Sequence, residues 1–215
     1  MPELRTGGRA ARLFLLGRIA TARRGADLLD RKRQLLRREV ARLDEDRTVA
    51  RGRLEAACAE LDVWAARTAA LGGPRDVTIA GEALGSPAEV EVHWENTMGT
   101  LHPSSHTSVL PSLRPLDAAG LTSALPPTAA ACREALDGAL AAAVAEDAVR
   151  RLSGELALTT RRVRAITRIR LPALEDALAV LNQRLDETDR EERAVGRWAW
   201  ERSERAGAAG SPRRP

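Results

Sequence analysis

Three histidines, two cysteines and a glycine followed by a basic cluster are the residues of this chain whose types could do chemistry. His93, His102 and His106 could hold a metal if they converged, but Pro103 and the serines around them argue against ligands paired on a helix. They read as unliganded loop histidines. Cys58 and Cys132 are the two cysteines, which fits a reducing compartment and no disulfide framework. Two buried thiols on opposite helices are expected. Gly25, followed by Arg31-Lys32-Arg33 and Arg37-Arg38, invites a phosphate. No Gly-x-x-x-x-Gly-Lys pattern surrounds it and no strand signal precedes it. Gly25 therefore reads as a helix position that permits close approach, and the basic cluster as a solvated or partner-facing surface. The sequence has no Ser/His/Asp set, no paired acid/base carboxylates and no nucleophile elbow, so neither catalysis nor a cofactor or metal is expected.

The elements carrying these residues follow from composition and period. The chain has 215 residues, 44% hydrophobic but 2% aromatic, with four Trp, one Phe and no Tyr. Ala, Leu, Arg and Glu are in excess, as in long helices and coiled coils, and a β-sandwich or doubly wound α/β domain is poorly served by such side chains. No apolar run approaches the roughly twenty residues of a membrane span. No secretory pattern opens the sequence. The expected location is cytoplasmic.

Residues 10–71 contain no proline, and their apolar positions keep a heptad. With Leu15 as position a, the a series is Leu15, Ala22, Leu29, Leu36, Leu43, Ala50, Ala57 and Trp64. The d series is Ile19, Ala26, Arg33, Val40, Arg47, Leu54 and Leu61. So narrow a stripe suits a coiled-coil seam rather than burial in a globular core. Such a helix is ~90 Å long, and Leu71-Gly72-Gly73-Pro74 stops it. A second helical pattern covers residues 128–205. Leu152, Leu156, Thr159, Val163 and Ile166 form one stripe. Leu171, Leu174, Leu178, Leu181, Leu185 and Thr188 form another, displaced in phase near Pro172, where a proline bend is expected.

Residues 72–127 hold seven of the eleven prolines. Val77–Ala80 and the alternating Glu89–Trp94 read as two strands joined through Gly81 to Pro87, with Val90, Val92 and Trp94 on the covered face. The continuation to about Leu116 reads as irregular. The fold class is therefore all-α dominated: a long antiparallel two-helix coiled-coil hairpin with a small β-hairpin head at the turn, a rod with a knob. The expected divisions are an N-terminal tail (1–9), helix 1 (10–71), head (72–127), helix 2 (128–205) and a disordered tail (206–215). Seam residues Leu29, Leu36, Leu43, Leu54 and Leu61 should face a second-helix seam that includes Leu152, Leu156 and Val163. Trp198 and Trp200 lie where the longer second helix either projects toward a partner or packs on the chain's own N-terminus.

Charge is banded. Residues 1–53 carry net +8, 54–149 net −9, 150–170 net +6 and 171–215 net −1, summing to +4. In a hairpin the two basic bands lie side by side, with too little acid in either to offset them. Arg23, Arg24, Arg31, Arg161, Arg162 and Arg164 should form an exposed, partner-facing band of positive charge.

The segment Ala22-Arg23-Arg24-Gly25-Ala26-Asp27-Leu28-Leu29-Asp30-Arg31-Lys32-Arg33 resembles the N-terminal signature of the D subunit of V-type/A-type rotary ATPases. Thr159-Thr160-Arg161-Arg162-Val163-Arg164-Ala165-Ile166, Pro172-Ala173-Leu174-Glu175 and Leu185-Asp186-Glu187-Thr188-Asp189-Arg190-Glu191-Glu192 are similar to further family motifs, in the right order over residues 10–205. Asp30 departs from a frequent lysine and Arg164 from a common asparagine. The resemblance implies a non-catalytic central-stalk axle, peripheral to the membrane. Its implied partners are the catalytic and regulatory subunits of a hexamer, the F subunit of the stalk and a funnel-shaped ring-cap subunit. It implies torque transmission from a proton- or sodium-driven membrane ring. Two other classes remain open from sequence: a coiled-coil structural scaffold and an Arg-rich nucleic-acid-binding protein.

Overall fold

The computed structural model describes residues 8–84, 87–111 and 121–209, with side chains to 205. The elements are α1 (Arg9–Leu71), α2 (Gly73–Ala83), β1 (Glu89–Thr97), β2 (Thr100–Val109), α3 (Leu125–Ala165), a π-helical turn (Ile166–Arg170) and α4 (Leu171–Ala209). Among the described residues no helix is long and apolar enough to cross a membrane. The fold is that of long helices with one small antiparallel sheet. The expected tails fall largely at residues 1–7 and 210–215, which lie outside the described residues, and α4 continues to Ala209.

The chain forms two compact units. One comprises the described parts of Met1–Asp30 and Arg161–Pro215; the other is Arg31–Thr160. None of the fifteen heptad positions of α1 is exposed.

In the Arg31–Thr160 unit the core is a cluster of Leu36, Leu43, Ala148, Val149 and Leu152, with Val40 and Leu156 packed on it. Leu36 and Leu152 are fully buried. Burying a leucine side chain gives ~1.5–3 kcal/mol, so a few such layers hold two helices together. Further along, a Cβ placed on Gly138 of α3 would lie 3.4 Å from the Leu54 Cα of α1, so the two backbones come close there. Near the turn the buried Thr68 hydroxyl meets that of Thr128 at 2.6 Å, and the single Thr128 hydroxyl proton has the Ala124 carbonyl at 2.8 Å and the Trp64 carbonyl at 3.1 Å as acceptors.

Val77–Ala80, expected as a strand, is helical: it lies inside α2. Proline sits in the first turn with Asp76, both favourable at a helix start. Four apolar-rich residues are too few to separate the two periods. Val77 and Ala80 stand at i, i+3, and Ala80 is buried. The Asp76 carboxylate accepts from the Thr122 backbone N–H at 2.9 Å, tying α2 to the segment that enters α3.

The hairpin is thus not Val77–Ala80 with β1 but β1 with β2. The turn between them is Met98-Gly99, with φ of 53° and 84°. Two left-handed residues match the twist of a two-residue hairpin, and the Gly99 N–H donates to the Asn96 side chain at 2.9 Å. β2 escaped sequence reading because Pro103 argues against a strand. The register resolves this: His93 pairs Ser105 and Trp94 pairs Pro103, so Ser104 is an extra residue on β2 beside the proline.

In the other unit, Ala11, Leu15, Ile19 and Ala26 of α1 and Val163 are buried. Ile166, Leu171, Leu174, Leu178, Leu181 and Leu185 are half-buried, whereas Thr188 is exposed. The phase change coincides with a π-turn: the Leu171 N–H donates to the Ile166 carbonyl, five residues back. From Glu191 to Arg205 every residue is exposed.

Candidate functional site

The candidate surfaces are those the seam leaves over. Packing the seam positions inward turns the arginines between them outward. Arg23, Arg24, Arg161, Arg162 and Arg164 are all exposed in their unit, and Arg31 is exposed in the other. Ion pairs between the helices relieve part of this charge. Arg23 meets Glu175 at 2.7 Å, both half-exposed. Lys32, the chain's one lysine, meets Glu155, the single acid of residues 150–170, also at 2.7 Å and better shielded from water. Arg24, Arg161, Arg162 and Arg164 stay solvent-facing.

The named seam residues occupy two levels of burial. Leu36, Leu43, Leu152 and Val163 are buried; Leu29, Leu54, Leu61 and Leu156 are half-buried. Gly25 is not a close approach, because a Cβ there would meet nothing within 4 Å. It lines a hollow of about 600 Å³ with Phe14, Gly17, Thr21 and Ile166. Gly138 is the glycine that a neighbouring helix approaches. Cys58 is exposed and Cys132 half-buried, against the expectation of two buried thiols. Cys58 follows seam position Ala57 and so points away from the seam.

The histidines are strand residues, not loop residues, and each has its own partner. His93 Nε2 lies 2.8 Å from the Thr107 hydroxyl. His102 is buried, with Nε2 2.9 Å from the Thr97 hydroxyl and Nδ1 3.1 Å from the Pro103 carbonyl. His106 Nε2 lies 3.0 Å from Asp137 Oδ1 of α3, an oxygen that also accepts from the Ser108 hydroxyl at 2.9 Å. Those two bonds, His106 first, hold the Asp137 carboxyl below its ordinary pKa. Asp137 is therefore the docking point of β2 on α3, and sequence reading missed it because its partners lie about thirty residues away.

The hairpin docks at further points. Pro103, Ser104, Ser105 and His106 of β2 border a hollow with Leu43 and Ala50 of α1 and Val144 and Ala148 of α3. The Arg151 guanidinium lies 5.0 Å from the Trp94 ring centroid. Arg150 and Arg151 both bond Asp147, which holds that carboxyl below its ordinary value. Val90, Val92 and Trp94 face α3 across a cleft of about 370 Å³. They stay 38–51% exposed, so the face expected to be covered is half-open.

On α4, Val195, Trp198 and Trp200 are more than 60% exposed. The Arg202 guanidinium covers part of Trp198 at 5.1 Å. The expectation that these tryptophans pack on the chain's own N-terminus falls in part on residues 1–7, which lie outside the described residues.

The sequence matches the family model of the ATP synthase D subunit over residues 13–199. It is 28% identical to the V-type ATP synthase D subunit of Thermus thermophilus, covering 82% of this chain and 78% of that one. It is 31% identical to the A-type ATP synthase D subunit of Methanopyrus kandleri, over 83% and 78% of the two chains. To the A-type D subunit of Halobacterium salinarum it is 32% identical, over 81% and 80%. A match that begins in the first turns of α1 and ends near the exposed tryptophans of α4 takes in both helical units and the hairpin, and the chain belongs to the family of ATP synthase D subunits.

Proposed function

We propose that the chain is the non-catalytic central-stalk subunit of a V/A-type ATP synthase or ATPase. It transmits torque between a proton- or sodium-driven membrane ring and the catalytic hexamer, while remaining peripheral to the membrane. The family membership carries the proposal, because it spans both helical arms. The division of surfaces agrees with it. The heptad positions of α1 lie buried or half-buried in the seam, where they stiffen the helices. The outward surface is built of long charged side chains whose exposed contacts are worth ~0–1 kcal/mol each. Contacts that weak can be exchanged as a shaft turns against acidic loops of a surrounding hexamer. Arginine keeps its charge throughout and can fork onto carboxylates.

In this reading the hexamer's catalytic and regulatory subunits surround the arginine band and the exposed end of α4. The F subunit of the stalk binds along the side, and the ring-cap subunit meets the head end. The test is reconstitution. Hexamer plus the stalk's F subunit should show ATP-driven rotation only when this chain is added, and the purified chain should hydrolyse no nucleotide. Hydrolysis by the single chain, or coupled rotation in its absence, refutes the proposal.

A further inference from the structure

We propose that the outer edge of β1 is a docking edge for an extended segment of another protein, one that alternates basic and apolar side chains and adds a third strand to the hairpin.

The two strands differ in a way the fold does not require. β2 carries two features that spoil a strand edge, Pro103 and the extra residue Ser104, whereas β1 carries only charge, its glutamates. β1 runs nine residues without proline, lysine or an inserted residue. Among the described residues its sole strand partner is β2, and its first eight residues are all exposed. Such an edge presents a row of unpaired N–H and C=O groups, the template for strand addition.

Its side chains specify the guest. Outward from α3 stand Glu89, Glu91 and Glu95, interrupted by His93, all exposed, with Glu95 already in the field of Arg42 of α1. Toward α3 stand Val90, Val92 and Trp94, bordering the cleft whose far wall includes Leu140 and Val144. A strand laid beside β1 places alternate side chains on these two sides. Those beside the glutamates are matched by lysine or arginine, and those toward the cleft mouth by apolar groups. A second copy of this chain is a poor guest. Antiparallel self-pairing centred on Val92 sets Glu89 against Glu95, and like charges directly opposite are destabilising.

The experiment uses the full chain and two nine-residue peptides, one alternating lysine with valine and one alternating glutamate with valine. Amide hydrogen exchange is followed residue by residue. The lysine peptide should slow exchange of β1 amides about tenfold or more at saturation, and the glutamate peptide should not. The variant Glu89→Lys/Glu91→Lys, checked for folding by circular dichroism, should reverse the preference. The same β1 amides should also be slowed in the assembled ATPase complex relative to the free chain. No β1 protection by the lysine peptide, equal protection by both peptides, or unchanged β1 exchange in the complex overturns the proposal. In that last case the glutamates serve only to keep the edge from self-pairing. None of these readouts measures rotation, so the edge can fail while the stalk reading stands, and the reverse.

Discussion

Leu36 and Leu152 are fully buried and share one cluster, so truncating either should cost much of what holds the Arg31–Thr160 unit together. In well-packed cores Leu→Ala costs about 2.7–5.0 kcal/mol, rising with the cavity left behind. The wall here is thin: two helices, with Val40 and Leu156 only partly buried beside the cluster. Partial collapse is open to it, which places Leu36→Ala and Leu152→Ala at the low end, about 2–3 kcal/mol each. Residues in contact do not add, so the double variant should cost about 0.5–1.5 kcal/mol less than the sum. Leu35→Ala is the control. Leu35 is the adjacent residue on the same helix but 44% exposed, and its loss should stay within about 0.5 kcal/mol.

The assay must report on this unit alone. Trp64 and Trp94 belong to it, while Trp198 and Trp200 belong to the other and are largely exposed. In a Trp198→Phe/Trp200→Phe background, urea unfolding followed by fluorescence reads the Arg31–Thr160 unit. With a slope of ~1–3 kcal/mol per molar, a loss of 2–3 kcal/mol moves the midpoint by about 0.7–3 M. If Leu36→Ala melts together with Leu35→Ala, or the two core truncations add fully, the seam is not the source of stability and the reasoning fails.

Four further outcomes are expected. Replacing Arg24, Arg161, Arg162 and Arg164 with Gln should leave the thermal midpoint of the isolated chain unchanged or slightly raised, while weakening assembly or torque in single-molecule rotation; unfolding of the chain with assembly intact would make the band structural. Because Asp137 is held below its ordinary value of 3.8, its contribution to hairpin docking is present above that pH and is lost as pH falls through the lower folded value, so Trp94 fluorescence should change there. Asp137→Asn should remove that acid transition. Gly52→Ala, at an α1 position where a Cβ meets nothing within 4 Å, should stabilise by about 0.5–1 kcal/mol in a thermal melt. Deleting Ile169, 70% exposed in the π-turn, should leave helicity and midpoint near wild type; deleting Ala179 from α4 should lower both.

What the sequence made legible was what repeats. A heptad is a statement about many positions at once, and each wrong residue is outvoted, so Arg33 and Arg47 at d positions did not hide the seam of α1. The head has no such redundancy. Val77–Ala80 offered four residues, fewer than the number needed to tell a 3.6 period from a 2.0 period, and the proline ahead of them decided for helix. β2 was hidden because Pro103 reads as a strand breaker unless the extra residue beside it is known, and that is a property of pairing with β1. The docking of the hairpin depends on His106 and Ser108 reaching Asp137, which no local pattern encodes. The arginine surface was legible as charge. Its partial neutralisation by Glu175 and Glu155 was not, because each acid lies more than 120 residues from the base it meets.

The π-turn joins the readable part to the unreadable one. Along α3 the seam steps by three and four: Leu152, Leu156, Thr159, Val163, Ile166. It resumes as Leu171, Leu174, Leu178, Leu181, Leu185, so the step from Ile166 to Leu171 is five. In an uninterrupted α-helix that extra residue turns everything beyond it by about 100° and swings the α4 stripe away from α1. The i→i−5 bond from Leu171 to Ile166 takes up one residue in a single wide turn, and the half-buried leucines of α4 recover the face set by Val163. Pro172 immediately follows, and its missing N–H removes the donor that would draw the turn back to α-helical spacing. The displaced phase seen in the sequence is therefore the signature of an inserted residue absorbed locally. That is why removing one residue from the turn and removing one from α4 should have opposite consequences: the first restores a step of four, and the second creates a shift that no π-turn remains to absorb.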